Sequence, residues 1–155
     1  MSTTPDRPAS LPLVLIVEDD ELAAFVFRRV LTTHGYAVIV SSGDPDSLPD
    51  LQRERPAAML IDLHLGEIDG LEFLRRLRSV RELRSVPAAV MTGDYFTDAR
   101  VSREVETLGL EMYLKPLWDD ELLRVVDKLV QRSRATATAD APAPQPPVSF
   151  GGLTH

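Results

Sequence analysis

The sequence predicts a doubly wound α/β fold, a five-stranded parallel sheet with five flanking helices, and three observations carry that expectation. Short apolar runs alternate with longer amphipathic stretches over residues 12–132. The runs are almost uninterrupted by polar residues, and several of them end on a carboxylate, a hydroxyl or a lysine. Parallel neighbours require crossover connections, right-handed crossovers put helices on both faces of the sheet, and strands covered on both faces read as continuous apolar runs.

The elements follow in order. LVLIV (13–17) reads as the first strand. In ELAAFVFRRVLTTHG, Leu22, Phe25, Val26, Arg29 and Val30 mark successive helical turns and Gly35 supplies the stop. YAVIV (36–40) is the second strand. Ser47 and Asp50 in SLPDLQRER have capping-box spacing, and Pro49 fits only a first turn, so a short helix is expected. AAMLID (57–62) is the third strand, and DGLEFLRRLRSV (69–80) a helix with Leu71, Phe73, Leu74 and Leu77 inward. PAAVMT (87–92) is the fourth strand, TDARVSREVETLG (97–109) a helix capped by Thr97, LEMYL (110–114) the fifth strand and DDELLRVVDKLVQR (119–132) the closing helix. There is no internal repeat.

A chain of 155 residues fits one domain with short ends. Residues 1–11 read as a flexible N-terminal segment. Residues 133–155 hold four of the 12 prolines and five alanines, with too little apolar area to offset the entropy of ordering, and read as a disordered tail. The absence of cysteine removes disulfides, thiolate metal sites and cysteine nucleophiles, and suits a reducing cytoplasm. A net charge of −7 repels a phosphate backbone, so direct DNA binding is not expected. The apolar run from Leu11 to Val17 is far too short for a membrane span.

Ligands of doubly wound sheets collect beyond the carboxyl ends of the strands. There the sequence places Glu18-Asp19-Asp20-Glu21 after the first strand, Asp62 at the end of the third, Thr92-Gly93-Asp94 after the fourth and Lys115-Pro116 after the fifth. Acids from the first and third strands would repel unless a cation joined them, and hard oxygens without His or Cys suit Mg²⁺. Dipole-favoured acids at a helix start account equally for Asp20 and Glu21. Asp62 closes a buried strand, where it serves as nucleophile, metal ligand or plain strand terminator. Lys115 is one of only two lysines among 17 basic residues, and an ammonium suits a single phosphoryl oxygen. Thr92 adds a hydroxyl donor.

The strings VLIVEDDE, MLIDLHLGEIDGLEFLRRLR, MTG and LKPLWDDELLRVV together resemble the receiver domain of bacterial two-component response regulators, over about residues 12–132. The resemblance implies a flavodoxin-like sheet of order 2-1-3-4-5 and a stand-alone regulator similar to the chemotaxis type. It implies that Asp62 accepts a phosphoryl group from a sensor histidine kinase or histidine phosphotransfer protein. Glu18 and Asp19 match the acid pair that holds Mg²⁺, together with Asp62 and the backbone carbonyl of His64. Thr92 matches the switch hydroxyl and Lys115 the ammonium that pairs with the phosphoryl group. Asp20 falls one place beyond the motif, and the His64 ring reads as a surface imidazole.

The sequence departs from the family pattern at two places. Gly66 stands where a proline is frequent, which predicts a looser loop. Met112 stands where many receivers carry an aromatic switch, and the neighbouring Tyr113 should face the other way, since adjacent strand residues alternate. Tyr95 and Phe96 are the remaining aromatics beside the site, next to Asp94.

The reading is therefore a phosphoacceptor signalling domain rather than an enzyme, acting on a protein partner, with a homodimer through the fourth helix, fifth strand and fifth helix as a further expectation. No DNA-binding module or catalytic effector is expected after the closing helix. A pseudo-receiver that acts only as an interaction module is the alternative. A Mg²⁺-dependent aspartyl-phosphate phosphatase of the haloacid dehalogenase type would need Asp-x-Asp after the first strand, where this chain has Glu18-Asp19-Asp20.

Overall fold

The computed structural model describes residues 11–93 and 98–139. Five apolar runs form one parallel sheet: β1 (Leu13–Val17), β2 (Ala37–Ser41), β3 (Ala58–Asp62), β6 (Ala88–Thr92) and β7 (Glu111–Leu114), in the order β2-β1-β3-β6-β7. Two further strands, β4 (His64–Leu65) and β5 (Ile68–Asp69), make a separate antiparallel hairpin after β3. With the hairpin set aside, the sheet order is the one expected.

β1, β3 and β6 are buried along their whole length because helices cover both faces. One face packs Leu15, Met59, Ile61 and Val90 against Phe73, Leu74 and Leu77 of α3 (Gly70–Ser79), Leu51 of α2 (Leu48–Glu54) and Val105 of α4 (Ala99–Thr107). The other packs Val14, Ile16, Leu60 and Met91 against Phe27 and Leu31 of α1 (Glu21–Thr33) and Val126 and Leu129 of α5 (Asp119–Ala139). The inward residues expected on α3 are all buried.

Several local expectations are corrected. α1 buries Ala24, Phe27 and Leu31, whereas Leu22, Phe25 and Val26, which mark its turns in the sequence, are exposed. Two apolar stripes overlap on this helix, and the sheet takes the one spaced i, i+3, i+7. The capping box at Ser47 does not form. The chain turns earlier, in a short 3₁₀ segment at Pro45–Ser47 capped by Asp44, whose carboxylate accepts from the Asp46 amide at 2.9 Å. Asp98 caps α4 by accepting from the Arg100 amide at 2.9 Å, and Thr97 lies outside the described residues. α5 continues to Ala139, past the boundary drawn at Arg132. The alternating Ala and Thr after Arg134 are compatible with helix even though the composition reads as a tail.

The loop after β3 is tighter than Gly66 suggested. Leu65 pairs with Ile68 around a two-residue turn in which Gly66 has φ +60° and Glu67 has a negative φ, the pattern of a II′ hairpin. Proline, held near −65°, is excluded from that conformation.

Candidate functional site

Backbone hydrogen bonds from the last rungs of the sheet hold each polar strand end. The Glu18 amide donates to Ser41 O at 3.0 Å, the Leu63 amide to Met91 O at 2.9 Å and the Lys115 amide to Thr92 O at 2.8 Å. Glu18, Asp62 and Thr92 are thereby fixed at one edge of the sheet, and all three are buried although polar. Such groups are costly to bury unless they are partnered.

The partners are present. Lys115 Nζ lies 2.7 Å from Glu18 Oε2 and 2.6 Å from Asp62 Oδ2, bridging the first and third strands from the fifth. Asp62 Oδ1 accepts from the His64 amide at 2.9 Å, and Glu18 Oε1 accepts from the Asp20 amide at 3.3 Å. Thr92 Oγ1 and His64 Nε2 are 3.4 Å apart. Among the described residues no buried side-chain nitrogen or oxygen lacks a partner.

Burial raises the Glu18 carboxyl to about 7, against the hydrogen bond from Lys115 and together with the nearby Asp62 charge. Burial also opposes the Lys115 ammonium, but its hydrogen bonds to Asp62 and Glu18 outweigh that cost and its pKa stands above the ordinary lysine value.

Glu18, Asp19 and Asp62 each offer a carboxylate oxygen within 4.8 Å of the others. The donor set is all hard oxygen, with Asp19 exposed and the other two buried, which suits a cation that keeps several waters. Gly66 leaves room for this set: a Cβ there would lie 3.1 Å from Asp19 Oδ2. Asp20 belongs to the helix instead, capping α1 by accepting from the Ala23 amide at 3.0 Å.

The structure thus brings Glu18, Asp19, Asp62, His64, Thr92 and Lys115 to one sheet edge. Met112 packs on the α3 side of the sheet and Tyr113 on the α5 side, as the alternation predicts. The Tyr113 hydroxyl donates to Glu111, so it faces away from Thr92. Asp94, Tyr95 and Phe96 lie outside the described residues.

Sequence reasoning missed two features of this edge. Gly70 approaches β3 so closely that a Cβ would fall 2.0 Å from Asp62 O. The Asp69-Gly70 pair was visible, but its contact was not. Beside Lys115, Trp118 and the α1 residues Ala23, Val26 and Phe27 line an apolar hollow of about 520 Å³, with Trp118 72% exposed; Leu22, also 72% exposed, stands on α1 outside its lining. Val26, the one member of the second apolar stripe on α1 that lines it, was the available signal.

A parallel sheet of this order, with a carboxylate trio and a bridging lysine at its carboxyl edge, defines a class that comparison with known proteins makes specific. The model of the response regulator receiver domain matches residues 14–127, and the chain belongs to that family, the receivers of two-component systems. The response regulator MprA of Mycobacterium leprae (strain TN) is 32% identical over 122 residues, 78% of this chain and 52% of the relative. The chain therefore spans about half the length of the MprA relatives it matches. The polar-differentiation response regulator DivK of Brucella anthropi is 36% identical over 106 residues, 67% of this chain and 84% of DivK. The receiver domain of sensor histidine kinase PA1611 from Pseudomonas aeruginosa PAO1, solved with a magnesium ion coordinated in its active-site cleft, superposes with a TM-score of 0.67 at 26% identity, covering 79% of this chain and 99% of that one. Among the described residues no helix is long and apolar enough to cross a membrane.

Proposed function

We propose that this receiver takes a phosphoryl group on Asp62 from a histidine kinase or histidine phosphotransfer protein and passes the signal to a protein partner by a change of conformation. The observation that carries the reading is Lys115 Nζ, held by both Glu18 and Asp62 at the carboxyl edge of the sheet. An ammonium there neutralises the incoming anion at the acceptor itself.

In the transfer, an Asp62 carboxylate oxygen bonds to phosphorus while the phosphorus–nitrogen bond of a phosphohistidine breaks, its electron pair returning to the imidazole. Glu18, Asp19 and Asp62, with the backbone carbonyl of His64, would hold Mg²⁺, which supplies charge neutralisation at the phosphoryl oxygens. Lys115 then exchanges its bond to Asp62 for one to a phosphoryl oxygen, and Thr92 donates its hydroxyl to another. A phosphoryl group shifts a two-state equilibrium only by its differential contacts with the two states, so Thr92 and Lys115 set the size of the response.

The apolar hollow between α1 and Trp118 opens beside Lys115, and its exposed apolar lining next to the acceptor favours it as the docking face for the phosphohistidine donor. The face of α4, β7 and α5 is the output surface, and the one through which a homodimer would form. A cytoplasmic location is part of this reading, supported by a cysteine-free sequence.

Incubation with phosphoramidate and Mg²⁺, followed by intact mass, tests the proposal. The expected result is one phosphoryl adduct, labile to hydroxylamine and missing in Asp62→Asn. No adduct under any condition leaves the alternative, an interaction module that works without phosphorylation.

A further inference from the structure

His64 touches both chemical groups of the site, and it does so from opposite ends of the residue. Its amide donates to Asp62 Oδ1 at 2.9 Å, while its ring nitrogen Nε2 is 3.4 Å from Thr92 Oγ1. The backbone between these ends is held in the hairpin, where His64 pairs with Asp69 across from β5. The imidazole is therefore delivered to Thr92 by a closed turn rather than by a free loop.

Thr92 is 1% exposed, whereas His64 is exposed, so the ring forms the outer side of the hydroxyl's surroundings. Both line a cleft of about 430 Å³ between the hairpin and α4, together with Ile68, Asp98 and Val101. Met112, on the neighbouring strand, packs against the same core cluster as Ile68 and Val101. Its thioether is at most a weak acceptor. A β-branched side chain has few χ1 states, so Thr92 Oγ1 occupies one of a small set of positions.

We propose that His64 is a positioning residue for Thr92: its imidazole holds the hydroxyl on the cleft side in the unphosphorylated protein, and that contact breaks when Thr92 turns to a phosphoryl group on Asp62. The inference rests on the phosphoacceptor reading of Asp62 and deepens it, because it makes the hairpin a restraint on the switch. Phosphorylation releases the ring, which changes the surface of the cleft between the hairpin and α4.

The test uses the full chain and four variants, His64→Leu, His64→Gln, Thr92→Ala and the double variant His64→Leu with Thr92→Ala. In the protein without phosphoryl donor, methyl scalar couplings report the χ1 populations of Thr92. They are expected to shift in His64→Leu and to stay near wild type in His64→Gln, whose side-chain amide keeps a hydrogen-bonding group. Titration with beryllofluoride and Mg²⁺, a phosphoryl mimic, should then half-saturate at about threefold lower concentration in His64→Leu, the size a single neutral hydrogen bond supplies. The shift should vanish when Thr92→Ala is also present. Unchanged χ1 populations in His64→Leu, or an equal shift on the Thr92→Ala background, overturn the proposal. A wild-type protein that binds no beryllofluoride sinks the phosphoacceptor reading instead, and the couplings still decide whether His64 holds Thr92.

Discussion

Gly70 stands against the carbonyl of Asp62 with no space for a side chain, since a Cβ would lie 2.0 Å from Asp62 O and 2.8 Å from Leu63 Cα. Both of those neighbours are backbone and cannot rotate away. Gly70→Ala is therefore expected to push α3 off the end of β3 and to cost about 1–3 kcal/mol, the usual range for overpacking a close contact. Urea denaturation measures the loss, and phosphoramidate labelling should fall with it because Asp62 is displaced. A variant as stable as wild type and labelled at the same rate would contradict this account.

Lys115 bridges two buried carboxyl groups, so Lys115→Met should leave Glu18 and Asp62 facing each other without a cation between them. The expected destabilisation is about 1–3 kcal/mol, below the roughly 3–5 kcal/mol of a fully buried broken pair because the lysine side chain is a quarter exposed. Mg²⁺ should restore more stability to the variant than it adds to wild type, since the cation then answers a larger unpaired charge. Equal increments in both proteins would remove Lys115 from the charge balance of the site.

Leu22 and Trp118 are expected to matter to a partner and not to the fold. With 72% exposure each, Leu22→Glu and Trp118→Ala should change stability by less than about 0.5 kcal/mol. Phosphotransfer from a phosphohistidine protein should slow by about tenfold, the effect of losing one buried interface anchor, while labelling by phosphoramidate stays at the wild-type rate. Equal slowing with both donors would move the defect from docking to chemistry.

Glu111 links β7 to α5 and gives the protein a predictable acid limb. Its carboxylate accepts from Lys128 Nζ at 2.6 Å, from Arg132 at 3.0 Å and from the Tyr113 hydroxyl. These contacts, Lys128 first, hold its pKa at about 2, below the ordinary value of 4.5. A carboxyl lowered by folding stabilises the protein above the unfolded pKa and loses that contribution as pH falls from about 4.5 toward 2. The side chain is more than a third exposed, so the contribution is under about 1 kcal/mol and weakens with salt. Glu111→Gln should flatten this part of a stability-against-pH curve at low ionic strength.

How much of this was legible in the sequence follows from which interactions decide each feature. The five sheet strands are continuous apolar runs, and no helical stripe competes with them, so their positions and the polar residues at their ends were readable. Glu18, Asp62, Thr92 and Lys115 meet because strand ends in a parallel sheet share an edge. The buried face of α1 was not readable, since Ala24-Phe27-Leu31 and Leu22-Phe25-Val26 are both acceptable stripes and only the sheet distinguishes them. The hairpin escaped because its strands are two residues each and Gly66 reads as loosening until its positive φ is seen to close a turn. The cap at Asp44 escaped for a related reason: Ser47 matched the capping pattern better, yet its hydroxyl is spent on Asp44 O at 2.6 Å.

The length of α5 has a mechanical meaning. Its 21 residues make a rod of about 30 Å, starting beside the carboxylates and ending where Arg132 and Thr136 lie alongside Pro87, at the opposite end of the sheet. The helix thus carries the chain from the carboxylates to the opposite end of the strands. The core holds the rod from Leu122 to Val130, so that a small tilt of this anchored part becomes a larger sweep at the Ala139 end.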